Sequence, residues 1–520
     1  MGWMAVILLA AWLELSCGEV YRPVVIPVSI TPPNPANFHA VFGISANIPF
    51  NPGTALQIDV SGDTSIGSGT MGVNPTHAAI LPNNSRVFVA SAGSLFPGDA
   101  DVVTAFFPAV DSTTATGLSS PTTFTYPNVG AINPLTQLPF TCSYQPDFVA
   151  TAQSSTVFVA NYGVENDPNC NFSSTDSVAV LNAAQGNIGS FAYLPAGSHP
   201  VAMVETSDAI NLYVLNQGGN SVIDLSPQDL STLATIPVGS APAWAVARPD
   251  NRRVYVVTQG DGQLYTIRTD TNVVVPGSPQ SVGGAGANYV AYDKSLNRLY
   301  VTNPGAGAVY VFDATTDPPT PMGSATGAVT VPAPPVPPNT PPCSGGACAY
   351  SAVSPVSVAA LPDGSRFYVA SYVTATGTCP DPNMAAVGCL IPQITVFDSG
   401  TLAAKTTVFP LIPSVTSPVS QIQPFAFAPA TFCAPVFPYT PATARFRMST
   451  VASTDSSRVY ASICDGGLVA IVRTNTNTIA TGVNAADTLV TDLATPFGAG
   501  PAQANHEPAT QNPVFLLNGQ

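Results

Sequence analysis

The sequence predicts an all-β propeller, a ring of four-stranded antiparallel blades. A short sequence motif recurs seven times along the chain. It consists of a turn, often with an arginine, followed by a strand with an aromatic residue at its second position. The aromatic residues are Phe88, Phe158, Tyr213, Tyr255, Tyr300, Tyr368 and Tyr460. Their shortest spacings are 42 and 45 residues, which is the length of one blade, roughly 40–45 residues. A motif repeated at this spacing predicts one closed repeat array rather than several unrelated domains.

Residues 199–240 show the strands of one blade most clearly. Short runs of β-branched and aromatic residues alternate here with polar turns, as strands and hairpins require. The expected strands, from the inside of the ring outwards, are Pro200–Glu205, Asn211–Asn216, Ser221–Leu225 and Leu233–Val238.

The two chain ends are expected to share one further blade. Phe42 precedes Phe88 by 46 residues, so the strands at 40–45 and 56–60 are in phase with the repeats. They lack an inner strand, and the C-terminal segment 513–517 can supply it. This arrangement gives eight blades. Seven blades result if the N-terminal strands only cap or replace part of the last unit.

The composition indicates a folded, exported protein that does not bind nucleic acid. Hydrophobic residues make up 45% of the chain and charged residues 8%, with 53 prolines and 41 glycines. The net charge of −15 would repel a polyanion. Several arginines occupy the repeat turn, and we expect each to pair with a nearby aspartate or carbonyl group. They are Arg86, Arg253, Arg298, Arg366 and Arg458.

The N-terminus resembles an export signal. An apolar run at residues 3–13 is too short to span a bilayer. Residues 13–16 precede Cys17 in the manner of a bacterial lipobox, although no Lys or Arg comes before the run and Glu14 replaces an aliphatic residue. Cys17 is then either a lipid-attachment site or an ordinary residue of the signal. We predict a signal over residues 1–17, a linker over 18–37 and a single propeller domain over 38–520. The protein is expected in the cell envelope, tethered to the outer membrane, periplasmic or extracellular.

The other eight cysteines predict disulfides. An even number of cysteines in an exported chain favours bridges, and the paired CxxC clusters of a zinc site are lacking. Their positions in the strand order suggest the pairs Cys142–Cys170, Cys433–Cys464, Cys343–Cys348 and Cys379–Cys389.

Long insertions are expected on one face of the ring. Turns between the second and third strands share a face with the crossovers between blades. The crossovers 127–145, 332–354 and 410–446 and the turns 162–176 and 372–390 therefore project together, and we call this side the insertion-rich face. Because rigid scaffolds carry recognition on their loops, this face is a candidate binding surface, although neutral decoration is the alternative.

The repeats resemble those of the YVTN family of β-propeller proteins. The similarity lies in Leu299–Asn303, Ala308–Asp313 and the segment from Pro355 to Asp363 that leads into Arg366. It covers roughly residues 75–482. The resemblance implies a propeller of a bacterial exported or lipoprotein type. It implies no single activity, because the family includes surface, binding and enzymatic members.

Residues at the starts of the inner strands form a candidate binding site at one mouth of the central channel. Aligning the repeats on their aromatic residues brings together His77, Asp147, His199, Trp244, Tyr289 and Arg447. Packing inside the channel is the alternative explanation for these side chains. The sequence contains none of the fingerprints of a P-loop, a dinucleotide site or a GxSxG hydrolase.

The preferred functional prediction is a non-catalytic scaffold that binds a protein or glycan partner through the insertion-rich face. We expect no cofactor, no metal, membrane contact only through a lipid anchor, and a monomer. The alternative is a propeller enzyme with its site at the channel mouth, either a lactonase-like hydrolase or a relative of quinoprotein dehydrogenases. A purely structural envelope component is a third hypothesis.

Overall fold

A computed structural model describes most of the chain from residue 40 onwards. The described residues are 40–47, 51–93, 100–108, 118–127, 130, 132, 137, 142–151, 156–182, 186–334, 349–376, 390–410, 433, 447–479, 482–494 and 511–519. The chain divides into two compact units, Met1–Pro32 and Pro33–Gln520. All described residues belong to the second unit.

The described residues form β-strands joined by turns, and no α-helix occurs among them. In chain order the strands are β1 (Ala40–Asn47), β2 (Asn51–Asp59), β3 (Thr64–Val73), β4 (Pro75–Ile80), β5 (Val87–Ser91), β6 (Val102–Phe107), β7 (Ser119–Thr125), β8 (Pro146–Thr151), β9 (Val157–Asn161), β10 (Ser177–Asn182), β11 (Asn187–Tyr193), β12 (Pro200–Glu205), β13 (Leu212–Asn216), β14 (Ser221–Leu225), β15 (Thr232–Pro237), β16 (Pro242–Ala247), β17 (Arg253–Thr258), β18 (Gln263–Arg268), β19 (Val273–Val274), β20 (Gln280–Ser281), β21 (Tyr289–Asp293), β22 (Arg298–Asn303), β23 (Ala308–Asp313), β24 (Thr320–Pro321), β25 (Ala328–Thr330), β26 (Ala349–Tyr350), β27 (Ser354–Ala360), β28 (Arg366–Thr376), β29 (Leu390–Asp398), β30 (Ala404–Val408), β31 (Met448–Ala452), β32 (Arg458–Ile463), β33 (Leu468–Arg473), β34 (Asn477–Ile479), β35 (Gly482–Asn484), β36 (Thr488–Ala494) and β37 (Gln511–Asn518).

The strands form the antiparallel sheets of a β-propeller, as the repeats predict. We number the blades in chain order: blade 1 is β4–β7, blade 2 is β8–β11, blade 3 is β12–β15, blade 4 is β16–β20, blade 5 is β21–β25, blade 6 is β26–β30, and blade 7 is β31–β33 with β36. A composite blade contains β37, β1, β2 and β3. Blades 1 and 2 are joined at their outer edges by a single pairing between β7 and β11.

The composite blade joins the two ends of the described chain. Strand β37 pairs antiparallel with β1, with Leu516 opposite Gly43. The inner strands then contact one another in a closed series: β4, β8, β12, β16, β21, β27, β31 and β37, which returns to β4. The C-terminal strand therefore supplies the inner strand that the N-terminal segment lacks.

Most inner strands begin with the same local structure, a proline followed by a β-bulge. A proline lies at the first position of the strand, or at the second in blade 6. One residue then bulges out, and the residue after the bulge resumes pairing. The prolines are Pro75, Pro146, Pro200, Pro242 and Pro355. Proline has no N–H to donate to a neighbouring strand, and it is therefore tolerated at the first position of a strand or at a bulge. The residue before the proline often has positive φ, as in Asn74, Gln145, His199 and Ala241. Its carbonyl accepts the N–H that follows the second strand, which ties the crossover to the second-to-third turn of the same blade.

The repeat arginines connect each blade to the next, which is the structural role predicted for them. The pairs are Arg253 with Asp317, Arg298 with the Ser399 carbonyl, Arg366 with Asp487, and Arg458 with Asp63. The repeat tyrosine adds to the same contact in blade 6, where the Tyr368 hydroxyl donates to Asp487 at 2.6 Å. Arg86 differs, since its guanidinium lies 4.4 Å from the centroid of the Phe107 ring.

Two of the predicted cysteine pairs lie at disulfide distance. The Cα atoms are 5.2 Å apart in Cys142–Cys170 and 5.8 Å apart in Cys433–Cys464. Each bridge links the segment before an inner strand to a loop beyond the second strand of the same blade. Cys17 and the predicted pairs Cys343–Cys348 and Cys379–Cys389 lie outside the described residues, as do most of the insertions 127–145, 332–354, 372–390 and 410–446.

The part of the chain that the structure describes contains no helix long and apolar enough to cross a membrane.

Candidate functional site

The six candidate channel-mouth residues separate into three groups, because they occupy different positions relative to the inner-strand bulge. His77, Trp244 and Tyr289 share one register, each opposite the residue two places beyond the repeat aromatic; His77 and Trp244 also directly follow a bulge. Asp147 is the bulged residue itself. His199 and Arg447 precede their strands and lie in crossovers. The structure thus brings three of the six together and places the others apart.

The first group lies in an aromatic cluster inside the channel. His77 stacks on Phe148 with ring centroids 3.7 Å apart, and the Phe515 ring lies 4.4 Å away. Trp244 contacts both Phe148 and Tyr289, at 5.5 and 5.2 Å. These residues come from blades 1, 2, 4 and 5 and the composite blade, so the rings meet across the channel. Phe148 and Phe515 occupy the same register as His77, but the sequence prediction omitted both.

Most side chains of this aromatic cluster are buried, which indicates a packing role. His77, Phe148 and Trp244 are buried, and Phe515 and Tyr289 are partly buried. The His77 Nδ1 atom lies 3.0 Å from the Val149 carbonyl oxygen; because a carbonyl only accepts, Nδ1 carries the proton. Edge-to-face and tilted contacts of this kind stabilise packed aromatic groups. The cluster therefore packs the inner strands of these blades against one another.

His199 and Asp176 form the most chemically distinctive pair on that face. His199 lies in the crossover into blade 3, whereas Asp176 precedes β10 of blade 2. The His199 Nδ1 atom lies 3.0 Å from the Tyr162 carbonyl oxygen and 3.5 Å from Asp176 Oδ1. The shorter contact is the hydrogen bond, and the carboxylate acts mainly through its charge. Asp176 is fully buried, and its other oxygen accepts the Ser198 N–H at 2.9 Å.

Two glycines make space for this pair. A Cβ atom on Gly163, which has a φ of +83°, would lie 2.0 Å from Asp176 Oδ1. A Cβ atom on Gly218 would lie 2.8 Å from His199 Cδ2. The Tyr162 ring stacks on the imidazole with centroids 4.4 Å apart and an interplanar angle of 13°. The imidazole is thus fixed by Tyr162, by the Gly218 backbone and by the acceptors at Nδ1.

These contacts determine the protonation chemistry of His199. Both groups facing Nδ1 are acceptors, so the neutral ring carries its proton there and leaves the Nε2 lone pair available. The side chain retains 25% of its exposure. The nearby Asp176 carboxylate raises the pKa of His199; burial opposes this, and the Tyr162 carbonyl adds to it. A buried carboxylate and an oriented, partly exposed imidazole are parts of a general acid–base pair.

Asp147 belongs to the surroundings of this pair rather than to the aromatic cluster. It is fully buried at the bulge before Phe148. Burial raises the pKa of Tyr162 to about 12, and the charges of Asp147 and Asp176 add to the effect. Tyr162 therefore stays protonated at neutral pH.

Another buried carboxylate anchors the neighbouring crossover. Asp101 Oδ2 accepts the backbone N–H groups of Tyr144 and Gln145 at 2.6 and 2.9 Å, and the Ser143 hydroxyl at 3.0 Å. Burial raises the pKa of Asp101 from 3.8 to about 6, although these hydrogen bonds oppose the rise. The Gln145 carbonyl in turn accepts the Tyr162 N–H. Asp101 thus helps to fix the segment on which the histidine stacks.

Arg447 lies in a different part of the ring from His199, and its contacts are structural. Its Nε atom is 3.4 Å from Asp465 Oδ2, and both side chains are buried. The guanidinium also lies 5.1 Å from the centroid of the Tyr372 ring. Its backbone carbonyl accepts the N–H of Cys464, the cysteine that is bridged to Cys433. This arrangement secures the start of blade 7.

Among the residues that the structure describes, no three His, Cys, Asp or Glu side chains are grouped so as to hold a metal ion. The expectation of no metal and no cofactor stays a prediction.

Comparisons with known proteins were made for both sequence and structure. No family model and no curated protein matches the chain. Similar solved structures include the periplasmic gluconolactonase of Pseudomonas aeruginosa, with 15% identity, a TM-score of 0.45, and coverage of 71% of this chain and 95% of that one. Virginiamycin B lyase of Staphylococcus aureus has 10% identity, a TM-score of 0.40, and coverage of 75% and 92%. Hydrazine synthase of Kuenenia stuttgartiensis has 17% identity, a TM-score of 0.41, and coverage of 64% and 77%. The strand order therefore identifies the chain as a β-propeller, and membership of the YVTN family stays a prediction.

Proposed function

We propose that this chain is an exported propeller hydrolase that cleaves a small neutral ester or lactone at the insertion-rich face, with His199 as its general base. The supporting observation is the Asp176–His199 pair, whose imidazole is oriented through Nδ1 and whose side chain stays partly exposed. Two glycines, Gly163 and Gly218, have no room for a Cβ atom beside this pair.

The chemistry proceeds by general-base hydrolysis. Nε2 of His199 takes a proton from water as the water oxygen attacks the carbonyl carbon of the substrate. Asp176 stabilises the imidazolium that forms, because its carboxylate lies beside the protonated Nδ1. The C–O bond of the ester or lactone then breaks, and the imidazolium returns the proton to the departing alkoxide. General acid–base catalysis by a positioned side chain is worth about 10²–10⁴-fold in rate.

The disulfide-distance cysteine pairs support export, because such bridges persist in oxidising compartments. Tethering through Cys17 stays a prediction, as does a monomeric state. The scaffold with a protein or glycan partner and the quinoprotein-dehydrogenase-like enzyme also remain hypotheses.

The test is hydrolysis of a panel of aldonolactones and short-chain aryl esters, followed with a pH indicator. We expect wild-type protein to turn over at least one member. His199→Gln should lower kcat by about 10²–10⁴-fold with little change in KM. Asp176→Asn should lower kcat less and should move the acid limb of the pH profile to lower pH, because it removes the charge that raises the pKa of His199.

Arg268→Gln is the matched control, since Arg268 is exposed on blade 4 and pairs only with Asp270 among its described contacts. It should retain wild-type turnover. The proposal is overturned if wild-type protein hydrolyses no member of the panel, or if His199→Gln turns over substrate at the wild-type rate.

A further inference from the structure

A ladder of stacked aromatic rings runs from the core of blade 2 to its surface. The rings in order are Tyr126, Tyr144, Phe191, Tyr193 and Phe172, with successive centroids 4.7, 5.2, 5.8 and 5.1 Å apart. The first two rings are buried, whereas Tyr193 and Phe172 are 45% and 37% exposed. The Tyr144 and Tyr193 hydroxyls also lie 3.2 Å apart. The outer pair of rings therefore rests on a column that begins inside the fold.

The loop that presents Phe172 is held at several points. The Cys142–Cys170 bridge lies two residues away from it and two residues away from Tyr144. The Asp167 carboxylate accepts the Asn169 N–H at 2.9 Å, and the Asn166 N–H donates to the Ser173 carbonyl. Aromatic residues that are fixed before binding lose little conformational entropy on contact with a ligand. Phe172 and Tyr193 form what we call the aromatic platform.

Exposed amide and hydroxyl groups surround the platform. Asn166, Asn169, Asn171 and Ser173 are all exposed on the same loop. Side-chain amides both donate and accept hydrogen bonds, and a hydroxyl does the same. Apolar ring surface bordered by such groups suits a pyranose, which has a C–H face and hydroxyl groups around its rim.

The negative charge around the platform disfavours anionic sugars. From residue 87 to residue 247 the sequence contains no Lys or Arg, whereas the platform loop carries Glu165 and Asp167. Blades 2 and 3 therefore present a negative field that repels carboxylated and sulfated glycans. A neutral glycan pays no such penalty.

We propose that the aromatic platform of blade 2 binds a neutral hexose or pentose oligosaccharide, with the outer ring, Phe172, stacking on a sugar ring and the exposed part of Tyr193, which supports Phe172, bordering it. This binding does not depend on catalysis by His199. The occupant is a neutral glycan chain rather than a protein, because the exposed polar groups on the Phe172 loop are mainly amides and a hydroxyl group.

Affinity electrophoresis of the full chain tests the proposal. Gels contain mixed-linkage β-glucan, glucomannan or arabinoxylan as neutral probes, and alginate or dextran sulfate as anionic probes. We expect wild-type protein to be retarded by at least one neutral probe and by neither anionic one. Phe172→Ala and Tyr193→Ala should each weaken the association roughly tenfold or more, equivalent to about 1.4 kcal/mol.

Phe107→Ala is the matched control, because Phe107 is exposed to the same degree, 38%, but lies in blade 1 under Arg86. It should bind as wild type does, and thermal melting should show that all three variants are folded. No retardation by any neutral probe would overturn the proposal. Equal loss of binding in Phe107→Ala, or retention in both platform variants, would overturn it as well.

Discussion

Leu516→Ala is expected to destabilise the propeller by about 2–5 kcal/mol, the usual range for such a change in a packed core. Leu516 is 1% exposed on β37, the inner strand of the composite blade. It packs with Val41 and Leu56 of that blade and with Tyr460 and Val469 of blade 7. The truncated side chain leaves a cavity where the C-terminal strand pairs with the N-terminal strand β1 and packs against blade 7.

Leu233→Ala provides the control for this prediction. Leu233 lies on β15, the outer strand of blade 3, and is 49% exposed. Its truncation should change stability by at most about 0.5 kcal/mol, as is usual for surface positions. Both variants are compared with wild type by urea unfolding and thermal melting. Equal shifts in the two variants would contradict the ring closure described above.

The double variant Cys142→Ala/Cys170→Ala has the second large expected effect. The bridge closes a segment of 28 residues, and the chain-entropy model gives about 3–4 kcal/mol for a loop of this length. Cys142 is also buried beside Tyr144 in the blade 2 core, so the loss should loosen the crossover that leads into β8. The expected results are a lower unfolding midpoint and weaker binding at the aromatic platform.

Thiol labelling provides the check on that pairing. Wild-type protein, unfolded without reductant and alkylated, should give a peptide map in which Cys142 is linked to Cys170. A reagent-labelled Cys142, or a link from Cys142 to another cysteine, would refute the assignment. An unchanged unfolding midpoint in the double variant would show that the bridge adds no stability.

The blades could be predicted from the sequence because each repeat motif lies within a few consecutive residues. Each repeat motif contains a turn, the start of a strand and an aromatic residue within a few positions. The second strands of blades 1 to 7 match it: β5, β9, β13, β17, β22, β28 and β32. The phase of Phe42 also predicted that the N-terminal strands need a partner, and β37 pairs with β1. Four of the five repeat arginines contact the following blade because the motif places them at the same outer position; Arg86 instead lies against Phe107 of its own blade.

The candidate site was harder to predict, for a geometric reason. The bulge after the opening proline is the same in blades 1 and 2, but the turn to the second strand is one residue shorter in blade 2: Ile80 pairs with Val87, whereas Thr151 pairs with Val157. Counting back from the repeat aromatic therefore reaches a different register position in the two blades. Asp147 therefore lies apart from His77, and Phe148 takes the equivalent place. The contact of His199 with Asp176 depends on folding between two blades and on space at two glycines. No local pattern carries that information.

The central claim is that Asp176 and the Tyr162 carbonyl hold His199 as an acid–base group with Nδ1 protonated. Its most direct test is an NMR titration of the His199 imidazole, with ¹⁵N shifts, in wild type and Asp176→Asn. We predict a wild-type pKa above the ordinary 6.5, a lower pKa in Asp176→Asn, and an Nδ1–H tautomer at high pH. Because the folded pKa is raised, the stability that this pair contributes is present below pH 6.5 and is lost as the pH rises through that pKa. A pKa at or below 6.5 in wild type, equal values in both proteins, or an Nε2–H tautomer would contradict the claim.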